Sequence, residues 1–173
     1  LGVDHIDILF LHGPAPHDLS DPLLAVLVAL RDSGRIRAIG VTGRGAEMDV
    51  AVATGEIRHV MAPLNARSSA EDRARLSRFR AAGAHIIAIE ALRPALSWRR
   101  SLTSAGGAWR LAKRLLRRDA ASVVSEAERV ITPREAIGWT LGPGEADLVL
   151  TTTTRRTRLR VNAEAARLAA RQG

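Results

Sequence analysis

The sequence predicts an α/β fold of about five strand–helix units, with parallel strands implied by the helical connections. Three observations predict it. Short, continuous apolar runs alternate with stretches that carry helix start and stop signals. The alternation recurs with short connections through most of the 173 residues. The glycine fingerprint that follows the first strand of a dinucleotide-binding fold is absent, which weighs against a doubly wound sheet and for part of a barrel. A complete eight-fold barrel needs about 250 residues, so this chain holds only a part of one.

Each element has its own justification. Ile6–Leu11 is an apolar strand interrupted only by Asp7, and it ends in His12 and a Gly–Pro turn. Leu23–Leu30 reads as a helix stopped by Gly34, and IRAIGV, 36–41, as the second strand. A short helix over 46–56 leads to a strand around IRHVMAP, 57–63. Residues 69–83 have the hydroxyl start, acidic first turn and terminal glycine of a capped helix. AHIIAIEAL, 84–92, is the fourth strand; Thr132 and Pro133 then cap and open a helix. ADLVLTT, 146–152, is the fifth strand, and about 156–170 forms a closing helix. The whole of 1–173 is expected to be one partial barrel domain with a long basic βα connection at about 93–131. In a partial barrel, the first and last strands are expected to be open edges.

Composition narrows the function classes. Apolar residues make up 46% of the chain, enough for a core, and there is no cysteine, which excludes disulfides, thiol nucleophiles and thiolate metal sites. No apolar run reaches the roughly 18 residues of a membrane span, and no signal segment is present, so a soluble, cytoplasmic protein is expected. The chain begins with Leu1 and enters a strand almost at once, as it would if an upstream segment had been removed. The net charge of +8 is local. Residues 1–92 hold ten basic and eleven acidic groups, 93–118 hold eight and none, and 119–173 hold eight and seven. WRLAKRLLRR, 109–118, alternates apolar and basic positions as an exposed amphipathic helix would. An aromatic content of 3% provides no stacking platform for single strands, so nucleic acid is not the expected partner. The histidines have no metal-ligand spacing, and no metal site is expected.

In order along the chain, LGVDHIDILFLHGP, GRIRAIGVTG, HVMAPLN, HIIAIEAL, ITPREAIGWTL and LVLTTTTRRTRLRVNAEAA resemble the fourth to seventh strands, the seventh helix and the adenine-binding stretch of the aldo-keto reductase family. The resemblance spans nearly the whole chain. It implies a (β/α)8 TIM barrel that is incomplete here, an activity transferring hydride from NADPH to an aldehyde or ketone, and a small-molecule carbonyl substrate. It also implies that the segment bearing the family's aspartate, tyrosine and lysine lies outside this sequence, and a missing N-terminal barrel segment or a covering chain is the expected partner of the open edges. The sequence contains no tyrosine, so no residue here can serve as the family's general acid. Loss of a positioned acid costs about 10²–10⁴-fold in rate, and this chain alone is expected to be inactive.

The resemblance assigns residues as well. His12, at a strand mouth, corresponds to the family histidine that orients and polarises the carbonyl oxygen. Thr42 and Gly43 stand where a serine and an asparagine hold the nicotinamide carboxamide; Met61 replaces a glutamine, and Ile89 an aromatic ring. Asn65 follows the third strand of this chain in a typical place, and Glu90 is either a ligand group or an arginine's partner. Asp4 and Asp7 are expected to cap a turn or pair with an arginine from a neighbouring helix. At the adenine end, Thr153 belongs to a run of threonines entering the last helix. Arg158 and Asn162, four apart on one face, match the residues that meet the 2'-phosphate and adenine, with Arg155 and Arg156 as helpers and Val161 replacing a glutamate. Arg158 makes NADPH the expected cofactor over NADH. The alternative is a non-catalytic aldo-keto-reductase-like binding or structural subunit whose nicotinamide pocket has degenerated.

Overall fold

The computed structural model describes residues 2–95 and 131–171. Its elements, in chain order, are β1 Ile6–His12, α1 Asp21–Asp32, β2 Ile36–Thr42, α2 Ala46–Ala53, β3 Ile57–Pro63, α3 Ala70–Ala81, β4 His85–Ile89, α4 Pro133–Thr140, β5 Leu148–Val149 and α5 Arg156–Ala169. Two single-turn 3-10 segments, Pro16–Asp18 and Arg93–Ala95, follow β1 and β4. The five strands form one sheet in the order β1-β2-β3-β4-β5, every neighbouring pair parallel. Sequential, parallel strands with a helix after each are the signature of a (β/α)8 barrel, here present as five of its units. Most of the long basic connection, including 109–118, lies outside the described residues.

Local sequence explains the helices. Ser69 Oγ accepts the Asp72 N–H at 3.0 Å, Glu71 and Asp72 sit in the first turn, and Gly83 at φ 79 turns the chain out of α3 into β4. Thr132 and Glu135 form a reciprocal capping box in front of α4, with Pro133 at its first position. The fifth strand is shorter than its apolar run: only Leu148 and Val149 pair, with Ile87 and Ala88 of β4. As an edge it has a single neighbour, and beyond Val149 the ladder continues only through the Leu150 N–H bonded to Ala88 O. Asp7 pairs with Arg37 at 2.8 Å, a residue on the adjacent strand rather than on a helix, because parallel neighbours put their outward side chains in register.

The two faces of the sheet differ. Ile39, Val41, Val60, Ile86 and Ala88 are fully buried beneath the helices, in a core they share with Met48, Ala51, Leu76 and Phe79. On the opposite, concave face Phe10, His59, Met61, Ile87 and Ile89 are only half-buried. Leu148 and Leu150 at the β5 edge remain about half exposed. Side-chain alternation makes the concave face the barrel interior, whose filling needs the remaining strands.

Candidate functional site

The C-terminal ends of the strands carry the residues singled out from the sequence. His12 ends β1, is exposed, and pairs in register with Thr42, which pairs in turn with Met61. Alternation from Phe10 and Gly40 directs His12 and Thr42 to the concave side of the sheet. The mouth is tied by backbone bonds: Gly13 N–H donates to Thr42 O at 2.7 Å, and Gly43 N–H to Met61 O at 3.3 Å. Thr42 itself is buried, so its hydroxyl is part of the wall rather than a free surface group.

Gly43 is glycine for a steric reason that the sequence does not reveal. A Cβ there would lie 2.5 Å from Glu47 Oε1 and 2.7 Å from Met48 Sδ, on the helix side of the strand end. Glu47 has folded back to accept the Arg44 N–H at 2.5 Å and the Gly45 N–H at 2.8 Å. Burial pushes its carboxyl up, but those backbone bonds outweigh burial and hold it below the usual carboxylate range. An amide side chain at this position would require both Glu47 and Met48 to move.

Asn65 and Glu90 form a linked pair beyond β3 and β4. The buried Asn65 donates its backbone N–H to Ser68 Oγ at 3.0 Å, accepts the Arg67 N–H at 3.0 Å and donates its side-chain amide to Glu90 O at 3.4 Å. Glu90 holds a left-handed backbone, φ 59, unusual for a residue with a side chain. Its Oε1 receives Arg44 Nη2 at 2.6 Å, and its Oε2 lies 3.6 Å from Arg93 Nη1. Arg44, which the motif comparison passed over, thus crosses from the end of β2 to the end of β4. Its only sequence signal was an arginine directly after a strand-end Thr–Gly. A cavity of about 320 Å³ lies beside this bridge, its walls including Gly43, Met48, Ala62, Asn65, Leu76 and Arg93. Met48, Ala62 and Leu76 belong to the helix-side core, so the cavity lies behind the strand ends, away from the side His12 faces.

The third group surrounds β5 and α5. Asn162 is buried and donates its amide to Thr151 Oγ1 at 3.2 Å; Thr153 Oγ1 accepts the Arg155 N–H at 3.2 Å. The first turn of α5 has no acidic residue and its N-cap makes no side-chain bond. The first turns of α1, α2, α3 and α4 all carry Asp or Glu. Instead Arg155, Arg156, Arg158 and Arg160 cluster there, all exposed and without a carboxylate partner among the described residues. Cations at the positive end of a helix are unfavourable to its dipole, and an anion placed there would relieve them.

A model of the aldo/keto reductase family matches residues 1–166. The chain belongs to that family. Comparison with curated proteins yields no match. Among solved structures, an aldo-keto reductase from Bacillus halodurans in its holo form superposes with a TM-score of 0.65 at 17% identity, over 94% of this chain and 56% of its own. Its apo form gives 0.64 at 15% identity, again over 94% and 56%. A thermostable aldo-keto reductase in complex with the inhibitor epalrestat gives 0.56 at 20% identity, over 98% and 61%. At these identities the likeness establishes the fold. This aldo-keto reductase chain spans under two thirds of the length of those structures. Among its described residues no group of three His, Asp or Glu is placed to hold a metal, and no helix is long and apolar enough to cross a membrane.

Proposed function

We propose that this chain is the cofactor-binding and carbonyl-facing portion of an NADP-dependent aldo-keto reductase. The observation that carries the reading is the start of α5, four arginines without a carboxylate partner among the described residues, on a helix N-terminus beside a run of threonines. That chemistry fits a phosphate monoester: Arg158 offers two parallel N–H donors, and the threonine hydroxyls and free backbone amides add more. Arg158 and Thr153 would meet the 2'-phosphate, with Arg155 and Arg156 beside them, and Asn162 would present the adenine side of the site while holding Thr151. NADPH is preferred over NADH on that account. When bound, the cofactor supplies the hydride.

At the other end His12 orients and polarises the carbonyl oxygen of an aldehyde or ketone from the rim of β1. Thr42 contributes a hydroxyl to the nicotinamide pocket and Gly43 its backbone, while Asn65 and Glu90 fix the loops that frame it. The chain lacks a tyrosine, so the acid that protonates the forming alkoxide comes from a segment outside this sequence, and the 173 residues alone are inactive. A single partial barrel domain, in the cytoplasm, completed by an N-terminal segment that closes its open strands, is the setting that fits.

The filled space at Gly43 and the methionine in place of a glutamine favour a second reading, a non-catalytic relative with a degenerate nicotinamide pocket. Fluorescence titration of the full-length protein with NADPH, followed by turnover on a panel of aldehydes and ketones, separates the two. Binding with turnover, and a fall in kcat of about 10²-fold or more for His12→Ala, is the expected result. Absence of turnover, with or without NADPH binding, would transfer the assignment to the second reading.

A further inference from the structure

We propose that the cavity between the β2–α2 and β3–α3 loops is a binding site for a phosphate group, separate from the hydride-transfer site, with the Glu90 carboxylate as its built-in stand-in. Arg44 and Arg93 arrive from different loops and converge on one carboxylate, at 2.6 Å and 3.6 Å. Two guanidinium groups on a single carboxylate make a cradle for an oxyanion with more charge than Glu90 provides. Two further charged residues of the lining, Arg75 and Asp72, are engaged elsewhere. Arg75 is engaged by Asp49, Glu71 and Asp72, and Asp72 also receives the Ser69 hydroxyl at 2.8 Å. Ser68 Oγ accepts the Asn65 N–H, which leaves its hydroxyl proton to give to a ligand.

The position of Glu90 is held rather than relaxed. Its left-handed backbone is kept by Asn65 Nδ2 and by Arg93 N–H, both donating to Glu90 O, so its carboxylate is held on Arg44 and Arg93, two of the residues that line the cavity. Backbone strain retained by surrounding bonds is characteristic of ligand clamps. A volume of about 320 Å³ exceeds what inorganic phosphate alone fills and admits a short phosphomonoester. Because Met48, Ala62 and Leu76 form the floor, the bound group lies on the helix side of the strand ends, and its occupancy is independent of NADPH.

Isothermal titration of the full-length protein with inorganic phosphate, against sodium chloride at matched ionic strength, tests this, with glycerol 3-phosphate as the second ligand. Saturable phosphate binding is expected, weakened about tenfold or more by Arg44→Ala or Arg93→Ala and untouched by Arg37→Ala, whose partner is Asp7 on β1. Glu90→Gln, isosteric and uncharged, is expected to tighten binding several-fold, an effect that a purely structural ion pair would not produce. Tighter binding of the ester identifies a phosphorylated metabolite as the natural ligand; equal affinity identifies free phosphate. Phosphate taken up at the α5 start does not depend on Arg44, so absence of an Arg44-dependent component, failure of Glu90→Gln to tighten that component, or its loss under saturating NADPH would each overturn the proposal. Because the readout is the Arg44-dependent component of phosphate binding, its failure leaves the reductase reading standing, and the reverse holds too.

Discussion

Helices α3 and α5 both follow a strand end, yet their first turns are opposite in charge. The α3 start is self-contained: Ser69 caps it, Glu71 and Asp72 answer its dipole, and Arg75 bonds Asp49, Glu71 and Asp72. Arg78 reaches the same Asp49, and the helix is anchored by the fully buried Phe79 and by Leu76. The α5 start has no acid and no side-chain cap, its arginines have no carboxylate partner among the described residues, and the helix docks through Asn162 and Ala165 while Leu159 and Val161 stay about half exposed. In α3 every charge but Arg73, which lies over the Trp139 ring, is answered by an opposite charge within the fold. In α5 the charges remain available, which is the condition a ligand site requires.

The contrast can be broken at either helix. The largest expected effect is Phe79→Ala, which opens a cavity under α3 and should lower stability by about 3–5 kcal/mol in urea unfolding. At α5, by contrast, Leu159→Gln should change it by less than about 0.5 kcal/mol, since the side chain is exposed. Next in size, Arg158→Ala should weaken NADPH binding by about 10–100-fold in fluorescence titration of the full-length protein. NADH binding and thermal stability should be unchanged; equal losses for the two nucleotides would remove the 2'-phosphate assignment. Ser69→Ala should cost about 1 kcal/mol through loss of the α3 cap, measurable as a fall in Tm. Arg155→Ala should leave Tm in place, because that N-cap makes no side-chain bond.

The smallest effect is a slope with pH. Hydrogen bonds from Arg75, aided by Arg78, hold the Asp49 carboxyl below its ordinary value of 3.8. The unfolded chain therefore binds the proton first as pH falls. The stability this carboxylate contributes is complete above about pH 4 and drains away as pH drops through its lower folded value. Asp49→Asn should flatten unfolding curves in that acid range. The first turn of α5 has no carboxylate to titrate, so no matching acid transition should arise there.

Much of the frame was legible. The caps at Ser69 and Thr132 and the stop at Gly83 are local signals, written within four residues, and the structure follows them. The length of β5 was not, because a strand extends only as far as its neighbour offers partners, and β4 offers few. The site divided along the same line. His12, Thr42, Arg158 and Asn162 could be picked out by motif. The Arg44–Glu90 bridge joins residues 46 apart, and nothing local announces it. Gly43 looked like the loss of an amide, whereas its neighbourhood shows the space already taken by Glu47 and Met48.

By itself the sequence determined the alternation of strands and helices, the family, and the cationic entry to the last helix, since each is set by residue type and spacing over a few turns. Only the tertiary structure decided which face of the sheet is sealed and which is left open. It also decided that Glu90 joins two arginines that line a cavity. Burial and ion pairing depend on which distant segments meet, and chain geometry, not local preference, brings them together.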